Sequence, residues 1–413
     1  MVQGLEAYCL SVFQLFAVGF VLLALLGLTL MEAGYSRQRS FQAVLVKNFY
    51  QLGVGIVVFW LLGYGFSSGG VNQEFLGDHL FAGQDWENSL HYLRGALYGF
   101  LGMIVVFSVN NPITERVQLP VYLLFTLLIM MFIFPVIMAW SWSGGWLSAT
   151  AFPLLDYGGT GTIHLLAGSI SLSALIMVGP RTGRVERGPA DPEFFAADYS
   201  LVTVGVLLFS IGLFVVNSFQ ATSLVAVGRG LFNSWLSGGA CAIVTTIIGT
   251  FNMQQLRLHL DTSLQGFLAG VIAIGAVGQS TDGWDALCIG SFVGVFTALT
   301  IRYLRTSFLD DVTGTIAWQL VPGALGLILA GFFDNEKGAF HKGNGEQVGY
   351  QCLGVAVIFA WGALFSAVFF GGMWKLGVLR VSEELELEGL SAADVDFPGF
   401  TIPKTPGEEE VSE

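Results

Sequence analysis

Two stretches of this chain plant a polar side chain at the same place within apolar sequence. The first reads Thr160-Gly161-Thr162-Ile163-His164-Leu165-Leu166-Ala167-Gly168. The second begins at Thr313 and sets its polar residue 155 positions after the first, Thr313-Gly314-Thr315-Ile316-Ala317-Trp318-Gln319-Leu320-Val321-Pro322-Gly323. His164 and Gln319 each stand four residues before a closing glycine, and each stretch follows acid: Asp156 in one case, Asp310 with Asp311 in the other. A neutral imidazole both donates and accepts a hydrogen bond, which suits a small polar guest that must shed its water, and it also suits proton relay. Taken alone, His164 fits equally well a histidine that bonds a neighbouring helix. Its match with Gln319 favours two groups meeting at one central site, the pattern of an inverted-repeat transporter.

Asp156, in Leu155-Asp156-Tyr157-Gly158-Gly159, has two readings. It attracts a cation in an outer vestibule, or it caps a helix by accepting from backbone N–H groups. Trp140, Trp142 and Trp146 suit interfacial anchors, and Trp142, fourteen residues before Asp156, is the best placed to offer its ring face to a cation. Glu32 in Met31-Glu32-Ala33-Gly34, Lys47-Asn48 and Glu115-Arg116 read as charge pairs that pack helices together.

The elements that must position these groups are membrane spans. Of 413 residues, 54% are hydrophobic and only 11% charged, with a mean hydropathy of +0.69. A soluble domain carries about a quarter charged residues, so this chain cannot cover itself with a polar surface. The 54 glycines suit helices whose backbones approach closely. Cys9, Cys241, Cys288 and Cys352 are scattered, and their spacing points to neither a metal site nor a disulfide framework. No cofactor, no enzymatic constellation and no nucleic-acid-binding face is expected.

A helix needs about 20 apolar residues to cross the hydrocarbon. Eleven candidates lie near 8–32, 44–66, 94–111, 118–140, 161–179, 199–217, 231–250, 264–280, 284–304, 315–333 and 349–377. The fold class expected is therefore an all-α integral membrane protein. With the N-terminus outside, thirteen basic residues fall in cytoplasmic loops and the tail, among them Arg37, Arg39, Arg116, Arg181, Arg184, Arg187 and Arg380. Only Arg94, Arg229, Lys337 and Lys342 fall outside, a bias that says N-out and C-in. Spans one to five, about 8–180, and six to ten, about 199–333, form two repeats of opposite topology, and the eleventh span stands alone. A cytoplasmic tail occupies 379–413. Its acidic, proline-bearing end, with Pro398, Pro403, Pro406 and Glu408-Glu409-Glu410, reads as solvated chain or as a linker to an output domain absent from this chain.

The chain resembles the ammonium transporter (Amt/Mep/Rh) family over most of its length. The matching residues are Leu30-Met31-Glu32-Ala33-Gly34, Lys47-Asn48, Phe59-Trp60-Leu61, Glu115-Arg116, Asp156-Tyr157-Gly158-Gly159 with His164, Gly179-Pro180-Arg181, Asn217 and Asp310-Asp311. The tail adds Gly377-Val378-Leu379-Arg380-Val381-Ser382-Glu383-Glu384 and Glu388-Gly389-Leu390. The resemblance implies a homotrimer in the lipid bilayer, one pore per protomer, and ammonium or ammonia as the guest. It implies recruitment at an outer aromatic site, passage beneath stacked phenylalanines and movement along two hydrogen-bonded histidines. A soluble nitrogen-signalling protein, or a fused signalling domain, is the partner it implies at the cytoplasmic face.

Several of the family's pore positions depart from that pattern. The second histidine is Gln319, and the aspartate expected four residues after Asp310 is Gly314. The inner gate phenylalanine falls at Val216, and the serine of the outer site at Gln220. The outer gate phenylalanine falls at Leu101, with Phe100 adjacent, while Trp142 keeps the aromatic wall. Glutamine cannot take up a proton as imidazole does, so a relay between two imidazoles is cut. The expected function is ammonium transport through a pore with one histidine retained. The alternative is an ammonium sensor that conducts poorly and signals through its tail.

Overall fold

The protein was studied as a computed structural model that describes residues 2–70, 75–87, 89–148, 152–188, 192–251 and 260–390. Long helices dominate, as the composition requires: inside a bilayer every backbone N–H and C=O must be satisfied within its own segment. They are α1 (Val2–Tyr35), α2 (Gln38–Ser68), α3 (Ser89–Ile113), α4 (Leu119–Trp142), α5 (Thr160–Val178) and α6 (Tyr199–Val216). The series continues with α7 (Leu224–Phe251), α8 (Leu260–Ile274), α9 (Gly283–Thr306), α10 (Ile316–Phe333) and α11 (Glu346–Lys375). A six-residue helix, α12 (Glu383–Glu388), lies in the tail. Among the described residues, ten of the eleven long helices are long and apolar enough to cross a membrane, and α8 is the shorter exception.

The expectation of an eleven-helix membrane protein therefore holds, with one correction at α8. The span expected at 264–280 begins earlier and ends at Ile274, because residues 275–280 leave the helix. The reason is competition for carbonyls. The amides of Gly158 and Tyr157 donate to Gly275 O (2.8 Å) and Ala276 O (3.2 Å), groups that would otherwise have closed further turns of α8. The acidic, proline-bearing end of the tail lies outside the described residues.

α1 runs along α6, the first helices of the two repeats the sequence proposes. Their approach is close: a Cβ on Gly34 would stand 2.8 Å from Val202, and one on Gly205 would stand 2.7 Å from the backbone of Gly27 and of Met31. Small residues of this kind let helix backbones touch where lipid supplies no hydrophobic drive. α5 is the innermost span, packed by α3, α10 and α11, whereas α11 turns most of its surface outward.

The buried ion pairs gather at one end. Lys47 pairs with Glu32, whose second oxygen accepts from Asn48 Nδ2 at 2.9 Å. Glu115 accepts from Arg37 Nε (3.1 Å) and faces Arg181 Nη1 (3.6 Å). Asp310 takes Arg116 (3.1 Å), Arg181 (2.8 Å) and Arg184 (3.2 Å). The tail joins this layer. Val381 N donates to Arg116 O at 3.0 Å, and Glu386 accepts from Arg380 at 2.7 Å and from the amide of Thr182 at 2.8 Å.

Candidate functional site

α5 and α10 begin in the same way. Gly159, in the left-handed region at φ 80°, turns the chain into α5. Asp156 Oδ2 then accepts from the amides of Gly161 (3.2 Å) and Thr162 (2.8 Å) and from Thr162 Oγ1 (2.8 Å). At α10, Asp311 accepts from the amides of Thr315 (2.9 Å) and Ile316 (2.8 Å), after Gly314 at φ 70°. Both carboxylates thus satisfy amide donors that the first helical turn leaves orphaned. Each stands eight positions before its polar partner, Asp156 before His164 and Asp311 before Gln319.

The surroundings of the two caps differ. Burial raises the Asp156 carboxyl above its ordinary range against the pull of the capping donors, and its Oδ1 has no hydrogen-bond partner. Burial likewise pushes Asp311 up to about 6. Asp310 is buried too, but Arg181 and Arg116 outweigh that cost and hold its carboxyl well below the usual range.

Both polar residues then fall on widened, π-helical turns, Thr160–Leu165 and Ile316–Leu320. In α5 the amide of His164 reaches back five residues to Gly159 O at 3.1 Å. In α10 the amide of Val321 likewise reaches back five residues, to Ile316 O. Close packing holds the two helices together: a Cβ on Gly323 would stand 2.7 Å from Leu165 N, and one on Gly168 would stand 2.6 Å from Leu320 N.

His164 Nδ1 and Gln319 Oε1 meet at 2.6 Å, and Gln319 Nε2 donates to Ser108 Oγ on α3 at 2.7 Å. All three side chains are buried. With the carboxamide placed so that Nε2 faces Ser108 and Oε1 faces the imidazole, Oε1 accepts from Nδ1, and a neutral His164 in this arrangement carries its proton on Nδ1. His164 Nε2 is left with a free lone pair and, although buried, has no partner. One acceptor is thus presented in a buried position. The Phe209 ring lies 6.4 Å from the imidazole and 5.9 Å from Trp318, closing one side.

Around the start of α5, Trp142 Nε1 donates to Asp156 O at 2.8 Å, which ties the end of α4 to the cap. The Trp142 ring meets Phe219 at 5.5 Å and Tyr98 at 6.3 Å, and those two meet each other at 6.4 Å. Leu101 is fully buried and Phe100 half-buried, and neither belongs to this trio. Val216 ends α6, buried, and Gln220 is half-buried in the turn beyond it. Asn217 holds that turn to the core, donating to Ser234 Oγ and Val271 O, each at 2.9 Å.

Sequence reasoning missed Ser108, Tyr98 and Phe219. A lone serine in the apolar run of α3 carries no signal of its own. Tyr98 lies one helical turn before the expected gate position, so a reading that follows the family register passes over it. Phe219 is the immediate neighbour of Gln220, and only the turn geometry selects it.

Comparison with known proteins places these features in context. The sequence model of the Ammonium Transporter Family matches residues 12–397. Ammonium transporter Amt2 of Archaeoglobus fulgidus is 27% identical over 403 residues, covering 92% of this chain and 86% of the relative. Ammonium transporter Amt1 of Haloferax mediterranei is 29% identical, covering 89% of this chain and 74% of the relative. Among solved structures, one titled Sensor Amt Protein aligns with a TM-score of 0.85 at 23% identity, covering 95% of this chain and 99% of that one. The G343C mutant of Mep2 from Candida albicans aligns at 0.81 with 18% identity, covering 90% and 86%.

Proposed function

The chain belongs to the ammonium transporter family, a multi-pass membrane protein and not an enzyme, and from that premise we propose that it moves ammonium or ammonia through a passage centred on His164 and Gln319. The observation that carries this reading is the bonded set Ser108–Gln319–His164, which leaves His164 Nε2 as a buried acceptor. An ammonium ion entering such a site loses hydration and can donate to Nε2 in exchange. Because Gln319 cannot become protonated, a proton taken up by His164 is not passed along the pair. The trio Trp142, Tyr98 and Phe219, beside the Asp156 cap, forms an aromatic approach at the opposite end from the arginine-rich layer. Ring faces of this kind attract a cation.

The orientation proposed is N-out and C-in, with the arginine-rich layer in the cytoplasm. Large apolar side chains remain exposed on α1, α7 and α9, among them Phe16, Trp235 and Phe292. We propose that lipid and two further copies cover them in a homotrimer. Asp156 acts chiefly as a cap, Asn217 and Asp310 as structural supports, and Val216, Leu101 and Phe100 as apolar neighbours of the passage.

A second reading is supported by the carboxamide at 319 and by the docked tail. An ion held at His164 without a relay is suited to being reported. Asp310, Arg116 and Val381 link the start of α10 to the tail, where a nitrogen-signalling protein or fused domain would respond.

One experiment separates the two. The full chain is reconstituted in liposomes, labelled methylammonium uptake and current are recorded, and ammonium binding is measured by calorimetry. Transport predicts saturable flux that Gln319→His raises and His164→Ala lowers. Binding with no flux removes the transporter reading and leaves the sensor.

A further inference from the structure

Asn111 on α3 and Ser171 on α5 are fully buried polar side chains that the protein itself leaves unmet. Among the described residues, Asn111 is the one buried side chain with both a donor and an acceptor lacking a partner, Nδ2 and Oδ1 alike. Its neighbour Asn110 shows the ordinary case, donating to Asn48 Oδ1 (3.0 Å) and to Gln51 Oε1 (2.7 Å). Buried helical serines commonly turn back onto the carbonyl four residues earlier. Ser141 does so on Ile137 O and Ser210 on Val206 O, each at 2.7 Å. Ser171 does not, so its hydroxyl is turned away from its own helix.

Helical spacing sets both residues beside the central pair. Ser171 follows His164 by seven residues, about 20° around α5 and about 10 Å along it. Asn111 follows Ser108 by three, about 60° around α3 and about 4.5 Å along it. Both helices run toward the arginine-rich layer, where Arg116 Nη1 donates to Gly179 O at 2.9 Å. The close approach of Gly168 to Leu320 puts those two positions level. Gln319, next to Leu320, reaches Ser108, which sets Ser108 near the depth of Gly168. Three residues further inward on each helix, Asn111 and Ser171 stand at about one depth, on the faces that carry Ser108 and His164.

The two side chains offer donors and acceptors together and carry no charge. Ammonium has N–H groups only, and burying it beside neutral groups forfeits its hydration. Uncharged ammonia donates N–H and also accepts at its lone pair, which matches both halves of the Asn111 carboxamide. We propose that Asn111 and Ser171 form an inner station for uncharged ammonia, one step past His164. Asn111 Nδ2 donates to the lone pair, while Asn111 Oδ1 and Ser171 Oγ accept the N–H groups. Ammonia is in equilibrium with ammonium in the outer solution, so the station itself moves no proton. The proposal rests on a passage centred on His164 and Gln319, and deepens that reading by naming the species that travels inward.

The test is labelled methylammonium uptake by the full chain in liposomes, beside calorimetric titration with ammonium chloride and thermal unfolding. Asn111→Leu keeps the size of the side chain and removes its polarity. It is expected to lower maximal uptake about tenfold while ammonium affinity at His164 stays within about twofold. Ser171→Ala is expected to lower uptake about threefold. Asn111→Ser restores a donor and an acceptor, and is expected to retain more uptake than Asn111→Leu. Wild-type uptake in Asn111→Leu, joined to a higher unfolding temperature, overturns the station and marks the amide as a buried polar group without a guest. Equal losses in Asn111→Leu and Asn111→Ser overturn it too, since size alone then governs. Should Asn111→Leu fail to elute as a folded protein, Ser171→Ala and Asn111→Ser decide the matter. If the wild type takes up nothing, the transport reading falls, and calorimetry at rising pH then judges the station. A binding class that strengthens in step with ammonia and vanishes in Asn111→Leu upholds it, and the absence of such a class overturns it.

Discussion

The starts of α5 and α10 share a plan and differ in chemistry. Each has a carboxylate that caps the first turn, a left-handed glycine, a widened turn, and a polar side chain eight positions after the cap. One half ends in an imidazole and the other in a carboxamide. One cap is set among neutral donors beneath aromatic rings; the other adjoins Asp310, which gathers three arginines. Backbone geometry can therefore be repeated while the groups mounted on it diverge. The plan places two side chains face to face, and their identities decide whether a proton can pass between them.

The comparison is broken most severely at Asp310. Asp310→Asn would leave Arg116 and Arg181 buried without their carboxylate, and removing one partner of a buried pair costs about 3–5 kcal/mol. The expected result is a large fall in unfolding temperature or loss of the folded protein on size exclusion. Asp156→Asn, which retains an acceptor at a cap with no arginine, should change stability by less than about 1 kcal/mol. Equal losses from the two variants would contradict the contrast drawn between the caps.

Asp311 sharpens the comparison through pH. Its folded pKa, about 6, lies above the ordinary 3.8, so the folded state binds this proton more tightly than the unfolded state. Its contribution is full below about pH 4 and is lost as pH rises through 6, a swing on the order of 3 kcal/mol. Asp311→Asn keeps the cap without the charge, and should flatten that part of a thermal-stability profile recorded between pH 4 and 7. An unchanged profile would mean that this carboxyl does not titrate there.

His164→Ala is expected to weaken ammonium binding at the central site at least about tenfold, or about 1.4 kcal/mol. Gln319→Ala should have a smaller effect, since it removes the group that orients the imidazole and not the acceptor itself. Calorimetry on the two variants checks that order. Trp142→Phe comes last. It removes the donor to Asp156 O and should cost about 0.5–1.5 kcal/mol of stability, read by thermal unfolding.

Much of this was legible in the chain. Apolar runs of membrane-spanning length are visible because lipid excludes unsatisfied backbone. The paired stretches are visible because a histidine and a glutamine stand out against leucine and isoleucine. The end of α8 was misplaced, since residues 275–280 are apolar enough to continue a span and only their carbonyls' bonds to Tyr157 and Gly158 stop the helix. Phe100 and Leu101 were selected by register, whereas Tyr98 and Phe219 line the aromatic wall because helix rotation and a turn aim them at Trp142.

By itself the sequence determined the helical membrane class, the matched positions of His164 and Gln319, and the basic residues that collect at one end. These depend on residue type and on distance along the chain. Only the tertiary structure decided which nitrogen of His164 is left without a partner, that Gln319 bonds Ser108 as well as His164, and that Gln265 fills the space beside Gly314. Each of those depends on directions and distances between helices far apart in sequence. Hydrogen bonds and close contacts fall off within an ångström, so no pattern along one strand of chain can specify them.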